Sequence, residues 1–134
     1  MEGLYRLHGG AVLSTTIDKY CYISLRELPP FFKHKHRIVY SVIEDVEHIH
    51  EIQHPAVRAV MQWAEVSNGL EIHHDGDLPA RSGLGSSSSF TVGLINAIKA
   101  LYGFKVSKKS LAHYAIDIEQ NIIGEKVGSQ DQIA

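Results

Sequence analysis

Cysteine is nearly missing from this sequence, and its scarcity is the first constraint. With Cys21 alone, no internal disulfide can form, and a reducing cytoplasm is the natural compartment. Long apolar runs are missing too: none approaches the roughly 18 residues of a membrane-spanning helix. The first residues lack the charged-then-apolar pattern of a secretory signal. Excess positive charge is also absent. A formal net charge of −2 offers no electrostatic footprint for nucleic acid or anionic lipid. Together these absences point to a soluble, cytoplasmic chain with no nucleic-acid or membrane partner. Its 134 residues suffice for one domain with a real core.

Histidine, by contrast, is plentiful, with nine copies. His34 and His36 lie in "FFKHKHR", His48, His50 and His54 in "EDVEHIHEIQH", and His73 and His74 are adjacent. Only His50 and His54 have the i,i+4 spacing of a shared helix face, and Pro55 argues against helix there. His50-Glu51-Ile52-Gln53-His54 has the letters of H-E-x-x-H, but that pattern works only on a helix that puts both histidines on one face. The histidines therefore read as solvated or incidental rather than as a metal centre.

Along the chain, Gly9 to Leu28 is rich in β-branched and aromatic residues and reads as a strand, ended by Pro29-Pro30. Arg37 to Glu44 is a second strand candidate, followed by an irregular acidic and His-rich connection. From Pro55, residues Val57, Val60, Met61 and Ala64 recur at helical spacing, until Asn68-Gly69 breaks the pattern. "LEIHH" is a short strand and "DGDLPARSG" a loop. Phe90, Leu94, Ile98 and Leu101 then mark an amphipathic helix closed by Gly103. Ser107 caps a further helix with the stripe Leu111, Ala115, Ile118 and Ile122. The final "GEKVGSQDQIA" reads as a glycine-punctuated loop. Strands first and helices later predict an α+β fold with a mixed or antiparallel sheet and helices on one face.

The junction between loop and helix at "LPARSGLGSSSSFTVGLINAIKALYG" carries more glycine and serine than a helix start needs. One serine suffices as an N-cap; here Ser86 to Ser89 follow Gly83 and Gly85. Glycines permit positive φ and close backbone approach, and a helix N-terminus directs unpaired N–H groups and the positive end of its dipole outward. Serine hydroxyls add donors and can ligate a hard cation such as Mg²⁺. This chemistry suits a polyphosphate. It is not a Walker A loop, because no lysine follows Gly85, nor a dinucleotide fingerprint, because Ser88 stands where a third glycine belongs.

The stretch resembles the signature P-x-x-x-G-L-G-S-S-A-A of the GHMP kinases, the galacto-, homoserine, mevalonate and phosphomevalonate kinases. Pro79, Gly83, Leu84, Gly85, Ser86 and Ser87 match it, while Ser88 and Ser89 replace the usual alanines. That family also places a metal-binding glutamate on a later helix and a catalytic aspartate in a glycine-rich loop beyond it. Glu119 and Asp131, the latter in "VGSQDQ", stand in that order. "GGAVLSTTIDKY" is similar to a strand of sugar and heptose-phosphate kinases, and the D-glycero-D-manno-heptose 7-phosphate kinase branch resembles this chain most.

The resemblance implies an ATP-dependent kinase acting on a sugar or sugar-phosphate hydroxyl. ATP phosphates would lie on Pro79, Gly83, Leu84, Gly85, Ser86, Ser87 and Ser88, Mg²⁺ on Ser87 and Glu119, and Asp131 would accept or orient the attacking hydroxyl. Arg81 lies in the same loop without an assigned role. The family's opening glycine-rich turn is replaced by "MEGLYRLH", and Asp131 is three residues from the C-terminus. The expectation is thus the central part of an N-terminal domain, incomplete at both ends, without the C-terminal GHMP domain and with little activity alone. An exposed strand edge with Val12, Ile17, Tyr20, Tyr22 and Ile23 further implies a homodimer. Two alternatives stay open: a non-catalytic binding module on the same fold, and a related chemistry such as diphosphate decarboxylation. The second would need a basic cluster that is not found beside Asp131.

Overall fold

The computed structural model describes residues 11, 13–79 and 82–134. Among these residues four strands form one sheet: β1 (Cys21–Glu27), β2 (His36–Val39), β3 (Ile43–Val46) and β4 (Leu70–Gly76). Among the described residues their order is β1-β4-β2-β3, so β1 and β3 are the edges of this described sheet. β1 runs antiparallel to β4 and β2 antiparallel to β3, whereas β2 and β4 are parallel. The sheet is mixed and the class is α+β, in line with the sequence. The helices are α1 (Pro55–Trp63), α2 (Ser86–Leu101), α3 (Lys108–Asp117) and a single turn, α4 (Gln130–Ile133). A 3-10 turn (Ile49–Glu51) precedes α1, and a π-helical segment (Ile118–Ile123) continues α3.

The sheet has one apolar and one charged face, as strand alternation requires. Toward the helices point Ile23 and Leu25 of β1, Ile38 of β2, and Leu70 and Ile72 of β4. They meet Val57, Val60 and Met61 of α1 and Leu94, Ile95 and Ile98 of α2, all six fully buried. Burying each of the larger side chains contributes about 1.5–3 kcal/mol. Helix α2 comes especially close to β1 at Gly93, where an added Cβ would stand 2.8 Å from Ile23 Cδ1. On the opposite face Arg26 donates from Nε to Glu71 Oε2 at 2.9 Å, and Arg37 donates to Asp45 at 2.7 Å.

Several local expectations are corrected. The first strand is shorter than Gly9 to Leu28: residues 13–20 carry no regular structure, and Gly9, Gly10 and Val12 lie outside the described residues. Arg37 to Glu44 is not one strand but most of a hairpin, because the chain reverses at residues 40–42 and the Tyr40 N–H donates to the Val42 carbonyl at 2.9 Å. The stripe Leu111, Ala115, Ile118 holds, but Ile122 is exposed. The backbone widens into i→i+5 pairing after Asp117, so the inward position passes to Ile123. The final segment contains α4 rather than loop alone.

Candidate active site

Strand β4 delivers the chain to the site. Beyond its last residue, the Asp77 N–H donates to the Tyr20 carbonyl at 3.0 Å, and the Tyr20 N–H donates to Asp77 Oδ2 at 2.9 Å. This clasp ends the sheet and releases a loop that runs to Gly85. Pro79 and Leu84 are exposed on it, and Arg81 is outside the described residues. Gly83 and Gly85 both adopt the left-handed conformation, at φ +75° and +77°. A Cβ at Gly83 would meet nothing within 4 Å, so this turn borders open space. Such backbone is strained for any L-residue with a side chain, by roughly 1–2 kcal/mol. The two glycines are therefore a requirement of the loop's shape.

Gly85 is the N-cap of α2, and no side chain caps that helix. The first helical bond is donated by the Ser89 N–H to the Gly85 carbonyl at 2.9 Å. The N–H groups before it, at the positive end of a sixteen-residue helix, keep their capacity for an anion. The four serines that follow Gly85 diverge. Ser86 is half-buried, Ser87 and Ser89 are exposed, and Ser88 is buried. The Ser87 carbonyl accepts from Thr91 Oγ1 at 3.2 Å.

Both acidic residues singled out in the sequence arrive at this helix start. Asp131, on α4, packs on Gly85: a methyl group placed there would stand 3.4 Å from the Asp131 carboxyl carbon and 3.5 Å from Oδ2. Glu119 lies in the π-helical segment, a feature frequent at functional sites. It is only 1% exposed, and Ser88 Oγ donates to its Oε2 at 3.0 Å. Gln132 Nε2 donates to that same oxygen. Glu119 Oε1 and Gln132 Oε1 are buried with no hydrogen-bond partner. An orphaned carboxylate oxygen is the donor a hard cation takes, so these residues fit a divalent ion. Gln132 is the member sequence reasoning passed over; its only signal was its place directly after Asp131.

Three of the described histidines have structural tasks. His54 Nδ1 accepts from the Val57 N–H at 3.4 Å and caps α1, and its ring packs edge-on against Tyr40. His36 Nδ1 accepts from the Leu70 N–H at 3.3 Å. His73 Nε2 bonds Glu71 Oε1 at 2.6 Å; this bond and Arg26 hold the Glu71 carboxyl below its usual pKa. Among the described residues no group of three or more His, Cys, Asp or Glu is arranged to hold a metal, and no helix is long and apolar enough to cross a membrane. A cleft of about 800 Å³ beside Gly69, at the other end of β4, contains none of the residues above.

Residues 39–134 match the family described as GHMP kinases N terminal domain. The chain is 32% identical over 77 residues to D-glycero-alpha-D-manno-heptose 7-phosphate kinase of Campylobacter jejuni, a match spanning 58% of this chain and 23% of that relative. It is 36% identical over 66 residues to galactokinase of Pyrococcus furiosus, spanning 49% of this chain and 19% of the relative. Among solved structures, a D-glycero-D-manno-heptose 1-phosphate kinase from Bacteroides thetaiotaomicron superposes with a TM-score of 0.70 at 19% identity. That superposition covers 87% of this chain and 41% of the other, and shows a shared fold. With its sheet, its glycine-led helix start and most of its length matched, the chain belongs to the GHMP kinase family, through that family's N-terminal domain.

Proposed function

We propose that this domain serves ATP-dependent phosphoryl transfer to a hydroxyl of a small sugar or sugar phosphate, with a heptose 7-phosphate as the acceptor. The observation that carries the reading is the packing of the Asp131 carboxyl on Gly85, which sets a proton acceptor beside an uncapped helix start. Phosphoryl transfer asks mainly for positioning and charge stabilisation, so few groups are needed. Backbone N–H groups from Gly83 to Ser88 hold the nucleotide phosphates, with Pro79 and Leu84 shaping the loop. Ser87 and Glu119 hold Mg²⁺, which when bound offsets charge on the phosphates. Asp131 is exposed enough to reach an acceptor, and takes the proton from its hydroxyl or keeps that hydroxyl in line. Sugar chemistry is favoured because relatives named as a heptose 7-phosphate kinase and galactokinases match, although others are named mevalonate kinases.

The test compares ADP release with heptose 7-phosphate, galactose and mevalonate as acceptors. In a full-length parent protein, Asp131→Asn is expected to lower turnover by about 10²–10⁴-fold with nucleotide affinity nearly intact. Glu119→Gln is expected to raise the Mg²⁺ concentration needed for half-maximal binding of nucleotide. Equal turnover in Asp131→Asn and the parent removes the proposed base. Self-association belongs to the same reading: among the described residues β1 is a sheet edge, and Tyr20 just before it and Tyr22 within it are 58% and 53% exposed. Sedimentation at micromolar concentration should give a dimer, and a monomer with a stable melt would remove that part.

A further inference from the structure

The carboxylate of Glu119 is held lopsidedly. Two donors from different parts of the chain, Ser88 Oγ on the first turn of α2 and Gln132 Nε2 on α4, converge on its Oε2, and its Oε1 receives nothing. All three side chains are buried, at 5%, 1% and 5% exposure for Ser88, Glu119 and Gln132. A purely structural anchor would distribute its donors, because an unpaired carboxylate oxygen away from water costs free energy that a second bond would recover. Doubling the donors on one oxygen instead restricts the carboxylate's rotation and leaves the other oxygen presented. Ser88 also stands where the family signature has alanine, so its hydroxyl is a feature of this chain rather than of the motif.

Gln132 has a second connection. It follows Asp131 on the single turn of α4, and neighbouring positions on a helix point about 100° apart. Asp131 therefore lies exposed against Gly85 while Gln132 reaches inward to Glu119. The same short turn thus grips the carboxylate behind the loop and presents the carboxylate in front of it.

We propose that Ser88 and Gln132 are positioning residues that clamp Glu119 by one oxygen, so that the other is preset for a divalent cation, and that Gln132 ties this cation site to Asp131. The proposal rests on the function proposed above, in which Glu119 is a metal ligand. Its prediction is that cation affinity depends on two residues that do not touch the cation. Partners of this kind change metal affinity by about 10–100-fold when removed.

The experiment measures Mn²⁺ binding by electron paramagnetic resonance in the presence of ADP, for the parent chain and for Gln132→Met, Ser88→Ala and Glu119→Gln. Circular dichroism melts without metal accompany each. Gln132→Met keeps the length of the side chain but not its N–H, and is expected to weaken Mn²⁺ binding about tenfold. Ser88→Ala, a change well tolerated in a helix, is expected to weaken it by a smaller factor and keeps the test decisive should Gln132→Met fail to fold. Metal-free ADP affinity stays unchanged in Gln132→Met. If Glu119→Gln abolishes Mn²⁺ binding while folded Gln132→Met and Ser88→Ala bind as the parent does, the clamp is overturned and the metal ligand stands. If Glu119→Gln also binds as the parent does, the metal assignment falls and the clamp with it. Lower melting temperatures with unaltered Mn²⁺ affinity would make Ser88 and Gln132 ordinary core contacts.

Discussion

Two helix entrances in this molecule are both built from serine, and they work in opposite ways. At α3, Ser107 Oγ accepts from the Ser110 N–H at 3.1 Å, and the end is closed. At α2, four serines follow a glycine with φ +77°, yet none caps the helix. The single serine satisfies the backbone, whereas the four leave it unsatisfied. Their hydroxyls go elsewhere, Ser88 to Glu119 and the exposed Ser87 and Ser89 outward. Excess polar residues at a helix start thus signal a task beyond capping, because an N-cap uses a single side-chain acceptor, taken by the N2 or N3 N–H.

The sharpest way to break this comparison is Gly85→Val. A β-branched residue resists φ +77° and would press toward Asp131, so ATP-dependent thermal stabilisation should vanish while the far-UV spectrum of the fold remains. Undiminished stabilisation in a folded variant would make the α2 entrance as closed as that of α3. Ser107→Ala is the counterpart. It should cost about 1 kcal/mol and leave nucleotide binding unaltered. A drop of roughly 4 °C in melting temperature is the corresponding signal.

A third entrance refines the contrast at a smaller scale. Helix α1 is capped by a ring nitrogen that can be protonated, unlike the hydroxyl at α3. Burial, then the neighbouring His74, lowers the His54 pKa below its usual 6.5, against a smaller upward pull from Glu44. The folded state therefore binds fewer protons than the unfolded one. The cap's contribution is complete above about pH 6.5 and declines as pH falls below it. Burial acts in the same direction on His36 and His74. Melting temperature should fall from pH 7.5 to 5.5, and His54→Asn, which keeps an acceptor that does not titrate there, should remove part of the slope. An unchanged slope would assign the pH dependence to the other two histidines.

The helices were legible because their signals are local. Pro55 before a 3.6-period stripe, Ser107 as a cap and Gly103 as a stop each act within a turn or two of their own position. The loop was legible for a related reason: Gly83 and Gly85 stand where positive φ occurs, and glycine is the residue that tolerates it. The hairpin over β2 and β3 was not, since "RIVYSVIE" lacks the Asn-Gly or Asp-Gly signal of a tight turn. Nor was the exposure of Ile122, because nothing local announces the π-helical step.

By itself, then, the sequence determined the α+β class, the starts of α1, α2 and α3 and the presence of a glycine-led loop before α2, all of which follow from backbone sterics and short-range periodicity. Only the tertiary structure decided that β4 would lie between β1 and β2, and that Gly85 would face Asp131. It alone decided that Ser88 and Gln132, 31 and 13 residues away from Glu119, would meet on one oxygen. Those encounters depend on how apolar faces distant in sequence find one shared core, and no single stretch of chain carries that information.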